Sequence, residues 1–147
     1  MDHDGVVDIL NRLIAVCQDS EDFFRSAARR ISDRRLNELF SEVAEKRSNS
    51  VAALSGLVSS RTDEATRRGT VAGDAHRVYA ELEALVVSND VATLVRRLRQ
   101  AEHRTVDEFG KALALDLPLE ARAVVEHQHC VIRGTFGHLD ALQRVAL

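Results

Sequence analysis

The stretch that decides the fold runs from Val6 to Ile31 and reads VVDILNRLIAVCQDSEDFFRSAARRI. Its apolar residues recur every three or four positions, which is the spacing of residues on one face of an α-helix. This apolar stripe consists of Val6, Leu10, Leu13, Cys17, Phe24, Ala28 and Ile31. Similar stripes follow through most of the 147 residues, and no segment alternates for long between apolar and polar residues. The sequence therefore predicts an all-α protein.

Interruptions of these stripes predict five helices. The predicted helices run from about Asp4 to Ile31, from about Asp33 to Ser60, from about Val71 to Val87, from Ser88-Asn89-Asp90 to about Leu115, and from Pro118 to the C-terminus. Ser, Asn and Asp are N-cap residue types, and proline is tolerated in a first turn because its missing N–H has no helical partner there. The polar segment from Arg61 to Thr70 predicts a long crossover loop.

The number and lengths of these helices predict the architecture. A chain of 147 residues is long enough for one domain with a real core, so we expect residues 1–147 to fold as a single unit. Four long antiparallel helices with one long connection are typical of ferritin-like bundles. We therefore predict a ferritin-like antiparallel four-helix bundle with an extra half-length helix after the crossover loop.

Composition and charge exclude several classes of function. The net charge of -3 gives no reason to expect nucleic acid or an anionic membrane as a partner. No apolar run approaches the roughly 18 residues of a membrane span. The N-terminal residues have neither a basic nor an apolar region of a signal peptide, so we expect a cytoplasmic protein.

Each of the four long helices interrupts its apolar stripe with one polar residue near its middle. These residues are Glu21, Arg47, Glu102 and Gln128. In an antiparallel bundle the middles of the helices meet at similar height, so we expect the four side chains to form one buried polar layer. Removing any of them would leave a buried partner unpaired.

A metal site is the alternative interpretation of the same region. Glu126 and His129 have the Glu-x-x-His spacing of di-iron bundles, and Glu21 and Glu102 would be the further ligands. However, Glu126 lies about 160° from Gln128 around its helix, and the positive charge of Arg47 would repel a metal ion. We expect no metal, no cofactor and no catalytic residue, with iron bound by these four side chains as the alternative.

The segment from Gly69 to Tyr79 reads GTVAGDAHRVY. With Gly69, Gly73, His76 and Arg77 it resembles the Gly-Ser-x-Ala-Gly-x-x-His-Arg-x-Trp signature of a bacterial ferritin-like four-helix-bundle family of unknown function. The match departs at Tyr79, where the family has tryptophan. The resemblance implies the bundle fold and a loose link to bacterial stress responses, and it implies no reaction.

These observations favour a binding or structural protein over an enzyme. The alternative, from a different class, is a metal-dependent oxidase or an iron-handling protein. We also expect a homo-oligomer, because a half-length helix cannot cover a full-length groove and its apolar residues should stay exposed. Those residues are Tyr79, Leu82, Leu85 and Val86.

Overall fold

The computed structural model describes residues 2–61 and 73–145, with side chains from Arg77 onward in the third helix. The described residues form five α-helices and no strand, which confirms the all-α prediction. The helices are α1 (His3–Arg30), α2 (Arg34–Arg61), α3 (Gly73–Ser88), α4 (Val91–Leu113) and α5 (Leu119–Arg144). No helix within these ranges combines the length and the hydropathy that a transmembrane span requires. Apart from Arg61, which ends α2, the predicted crossover loop lies outside the described residues.

Capping side chains fix where α1 and α4 begin. Asp2 accepts a hydrogen bond from the backbone N–H of Gly5 at 2.8 Å, and Asp90 accepts one from Thr93 at 3.3 Å. Each aspartate thereby satisfies an N–H group that has no partner within the helix. We predicted that Pro118 lies in the first turn of α5, but it precedes that turn. Its extended ψ of 150° makes it the N-cap residue, so that α5 begins at Leu119.

The helices pack as two hairpins. Short connections join α1 to α2 and α4 to α5, and the members of each hairpin make the most extensive contacts in the molecule. The hairpins meet where α2 packs against α5 and α1 against α4. Buried apolar residues form two clusters, one around Phe24 and Phe40 and the other around Leu13 and Phe109. Along α2 and α4, Arg47 and Glu102 lie between the residues of the two clusters.

The half-length helix α3 fills the space between α1 and α4. Leu82 and Val86 are only 2% and 3% exposed, and Leu85 packs against the same core cluster. The ring of Tyr79 stacks on Phe23 of α1 with a centroid distance of 5.4 Å. The prediction that the apolar residues of α3 stay exposed is therefore wrong. The helix buries its apolar stripe within its own chain, and this surface gives no argument for a second subunit.

Candidate functional site

The centre of the bundle holds a buried arginine. Arg47 of α2 is 0% exposed and is among the largest fully buried side chains of the described residues. Its Nη1 donates to Glu102 Oε1 at 3.0 Å and to Ser20 Oγ at 2.9 Å, and its Nη2 donates to Glu102 Oε2. The guanidinium also lies over the ring of Phe24, 5.7 Å from its centroid. This bidentate pairing with a carboxylate consists of charge-assisted hydrogen bonds, which are stronger than those between neutral groups.

The partner carboxylate comes from the other hairpin. Glu102 lies on α4 between the buried residues Leu98 and Phe109, so the stripe that folds α4 onto the core also carries the carboxylate inward. Its side chain is 0% exposed. Both of its oxygens accept hydrogen bonds from Arg47, which is the condition for burying a charged group without a large loss of stability.

Gln128 lies in a second polar contact of the core. Its Oε1 is 2.6 Å from the hydroxyl of Ser50 on α2, which donates to it. Both residues are buried. The structure thus brings Arg47 and Glu102 together as expected from the sequence, but Gln128 contacts Ser50 and not the carboxylate of Glu102.

Glu21 does not join the buried charges, contrary to the expected four-residue layer. Its side chain is 21% exposed, and its carboxylate pairs with Arg25 one turn along α1 at 2.9 Å. Ser20 occupies the inward position instead. Ser20 and Glu21 lie about 50° to either side of the α1 stripe, so spacing does not separate them. The helix α3 packs on one flank of α1, and this packing buries the side of α1 that carries Ser20.

Sequence analysis also missed Tyr79 as a neighbour of these charges. A hydrogen bond links its side chain to Ser20, and burial and the charge of Glu102 raise the pKa of the phenol. Serine at the edge of a stripe and tyrosine on a short helix are ordinary features, so only the docking of α3 identifies them as a group. The group therefore consists of the buried Arg47, Glu102 and Ser20 together with the partly buried Tyr79, and we call it the charge layer.

Burial and charge oppose each other in this layer. Burial by itself lowers the pKa of Arg47, but the charge of Glu102 and its hydrogen bonds outweigh that effect and raise the pKa above its ordinary value. Burial raises the pKa of the nearby Cys17 thiol to about 12. The arginine is therefore charged and the thiol is protonated at neutral pH, so Cys17 is a poor nucleophile.

The candidate metal ligands do not converge. Glu102 pairs with Arg47 and Glu21 with Arg25, while Glu126 is exposed on α5. His129 is half-buried, and a hydrogen bond links it to the backbone of Val106. Among the side chains that the structure describes, no three His, Cys, Asp or Glu residues are placed to hold a metal ion together. These residues do not fit the ligand set of a di-iron centre.

A family model described as a domain of unknown function, DUF2383, matches residues 5–115. The chain belongs to this family. The matched segment runs from Gly5 in the first turn of α1 to just beyond the end of α4, and it therefore includes the whole charge layer. In this DUF2383 chain, Gln128, Glu126 and His129 of α5 lie beyond the matched residues. No curated protein matches the chain.

The segment that resembles the family signature lies only partly in the described structure of this DUF2383 chain. Gly69 is outside the described residues, and Gly73 is the first residue of α3. His76 belongs to the first turns of α3, and Arg77 is exposed and has an interaction partner. The segment therefore leads into the helix that carries Tyr79 to the charge layer.

Proposed function

We propose that the protein is a non-catalytic ferritin-like bundle that acts as a binding or structural protein, with the charge layer in place of a di-iron site. The observation that carries this proposal is the fully buried guanidinium of Arg47, paired through two hydrogen bonds with Glu102. In a di-iron bundle, carboxylates at this depth would be ligands. Here the carboxylate is neutralised by a side chain that stays charged at every physiological pH.

The chemistry of the charge layer supports a structural role, in which the layer binds no metal and supplies no reactive group. Metal binding at Glu102 would require the carboxylate to leave Arg47, and the arginine would remain buried without its counter-charge. Breaking a buried ion pair in this way is strongly unfavourable. The buried thiol of Cys17 and the phenol of Tyr79 are both held in their neutral forms, so neither supplies an activated nucleophile.

The finer assignments rest on the topology and on the family resemblance. Two hairpins joined through α3 agree with a ferritin-like arrangement, in which one connection runs the length of the bundle. The resemblance also underlies the proposed bacterial origin and the link to stress responses. We further propose a cytoplasmic homo-oligomer that binds neither nucleic acid nor membranes.

Metal content after iron loading tests the proposal. The purified protein is incubated anaerobically with excess Fe(II), desalted and subjected to elemental analysis. We expect far less than one iron per chain, both in the wild type and in Glu102→Gln, which keeps the size of the side chain and removes its charge. A matched variant, Glu126→Gln, tests the exposed alternative ligand. About two irons per chain in the wild type, the content of a di-iron centre, lost in Glu102→Gln, would overturn the proposal. Loss of the iron in Glu126→Gln as well would identify Glu126 as a further ligand.

A further inference from the structure

One exposed face of α5 is unlike an ordinary solvent-facing helix surface. It consists of Leu119, Ala123, Cys130, Gly137 and Ala141, all of which are exposed. Taking about 100° per residue, these five positions lie within about 20° of a single line along the helix. The opposite side of α5 packs against α4 and α2. The face, which we call the α5 face, is therefore without a partner among the described residues.

The fold of a single chain does not account for the composition of this face. Leu119 is 85% exposed, the largest value among the exposed large hydrophobic side chains of the described residues. A Cβ atom added at Gly137 would meet no atom within 4 Å, so packing within the chain does not require glycine there. Glycine is also among the least favourable residues inside a helix. Both residues are explained if another backbone approaches this surface closely.

The residues of the α5 face are arranged symmetrically about Cys130. Ala123 and Gly137 lie seven residues to either side of it, and Leu119 and Ala141 lie eleven residues to either side. A two-fold axis beside Cys130 would place a second α5 antiparallel to the first. Leu119 would then oppose the second copy's Ala141, and Ala123 would oppose the second copy's Gly137. Such self-complementarity is what an isologous contact between identical chains requires.

The charges beside the α5 face are complementary under the same symmetry. Glu126 precedes Cys130 by four residues and Arg133 follows it by three, and both lie on the same flank of the line, about 40° and 60° away. Both are exposed. Glu126 has no ion-pair partner among the described residues, and Arg133 donates to Cys130 Sγ at 3.3 Å. In the antiparallel pair, Glu126 of each copy meets Arg133 of the other.

We propose that the α5 face is the interface through which two copies of this chain associate, antiparallel and around a two-fold axis at Cys130. This inference deepens the proposed homo-oligomer and rests on it. Small residues along the line allow close approach of the helix axes, and two symmetric ion pairs set the register. One helix pair buries less than the roughly 1,200–2,000 Å² of stable interfaces, so the dimer forms in a concentration-dependent way.

Sedimentation of matched glycine variants tests the location of the contact. Gly137→Arg introduces a large charged side chain into the α5 face at a position with open space, so the chain still folds. Gly56→Arg makes the same change at an exposed position of α2 that also has open space. We expect the wild type and Gly56→Arg to shift from the 16.3 kDa chain to twice that mass as concentration rises. Gly137→Arg should remain monomeric.

The register is tested by exchanging charges. Glu126→Arg and Arg133→Glu should each weaken dimerisation at least tenfold, because two like-charged contacts replace two ion pairs. The double variant restores the pairing and should recover most of the affinity. A bismaleimide crosslinker provides an independent readout, since Cys130 is exposed while Cys17 is buried. We expect crosslinked dimer in the wild type and none in Cys130→Ser.

The outcomes separate the two proposals. A monomer at every concentration would overturn both the homo-oligomer and the α5 interface. A dimer that persists in Gly137→Arg would overturn the interface alone. Loss of the dimer in Gly56→Arg instead would place the contact on α2. Failure of the double charge variant to recover would overturn the antiparallel register.

Discussion

Replacing Arg47 by alanine is the most direct test of the charge layer. The substitution removes every hydrogen bond that the guanidinium donates to Glu102 and Ser20. Because Glu102 is 0% exposed, bulk water does not reach its carboxylate in the folded wild-type chain. A buried carboxylate in this situation takes up a proton in preference to remaining charged.

The cost of that protonation gives the magnitude. An ordinary glutamate has a pKa of about 4.3, and each unit between that value and the pH costs about 1.4 kcal/mol, so holding it neutral at pH 7 costs about 3.7 kcal/mol. This agrees with the roughly 3–5 kcal/mol found when one member of a buried pair is removed. For a chain of this size we expect the melting temperature to fall by about 7–15 °C. The exposed Arg29 provides the control, and Arg29→Ala should change stability by about 0.5 kcal/mol or less.

The pH dependence distinguishes this mechanism from a simple cavity. In the variant the folded state holds a proton that the unfolded state releases, so the difference in stability from the wild type should shrink as the pH falls. Urea unfolding of both proteins measures this difference. The free energy of unfolding of the wild type minus that of the variant should decrease by about 1.4 kcal/mol for each pH unit from about pH 7 to pH 5. A combined Arg47→Met and Glu102→Leu variant should recover most of the loss. Equal melting temperatures for Arg47→Ala and Arg29→Ala, or a difference independent of pH, would refute the reasoning.

Three further predictions concern single side chains. In the native protein near pH 8, a thiol reagent should modify Cys130 and leave Cys17 unreacted, since burial raises the pKa of Cys17 to about 12. Modification of both thiols without denaturant would contradict the burial of Cys17. Burial and the nearby Arg133 lower the pKa of His129 in the folded state, so the folded protein binds fewer protons than the unfolded chain. The free energy of unfolding should therefore fall as the pH drops below about 6.5, and His129→Gln should reduce that slope in urea titrations; an unchanged slope counts against it. Arg122 donates to the carbonyls of Leu113 and Leu115, at and just beyond the end of α4, at 2.9 and 2.6 Å. Arg122→Ala should therefore lower the free energy of unfolding by about 1–3 kcal/mol. No measurable loss would show that water replaces the arginine.

The parts of the structure that follow from the sequence are those that depend on helical periodicity alone. The stripes predicted the all-α class and came within a few residues of most helix ends. Arg47 and Glu102 lie in the middle of their stripes, and the structure buries both. A residue at the centre of an apolar stripe has nowhere else to point, whatever the neighbouring helix is.

The parts that did not follow depend on which helix packs against which. Ser20 and Glu21 are nearly equivalent around α1, and only the position of α3 decides that Ser20 is buried. The sequence of α3 shows an amphipathic half-length helix but does not say which groove it occupies, so Leu82 and Val86 were wrongly expected at the surface. Tyr79 enters the charge layer for the same reason.

The pair of Arg47 and Glu102 also has a consequence for how the two hairpins align. Arg47 belongs to the first hairpin and Glu102 to the second, and both are fully buried. Apolar contacts alone do not fix the alignment of two packed helices, because successive apolar turns of a helix are chemically similar. A slip of one helical turn, about 5.4 Å, would leave an arginine and a carboxylate buried apart, each without a counter-charge. The single ion pair thus destabilises every misaligned packing of the hairpins. It selects one alignment from several that would bury similar amounts of apolar surface.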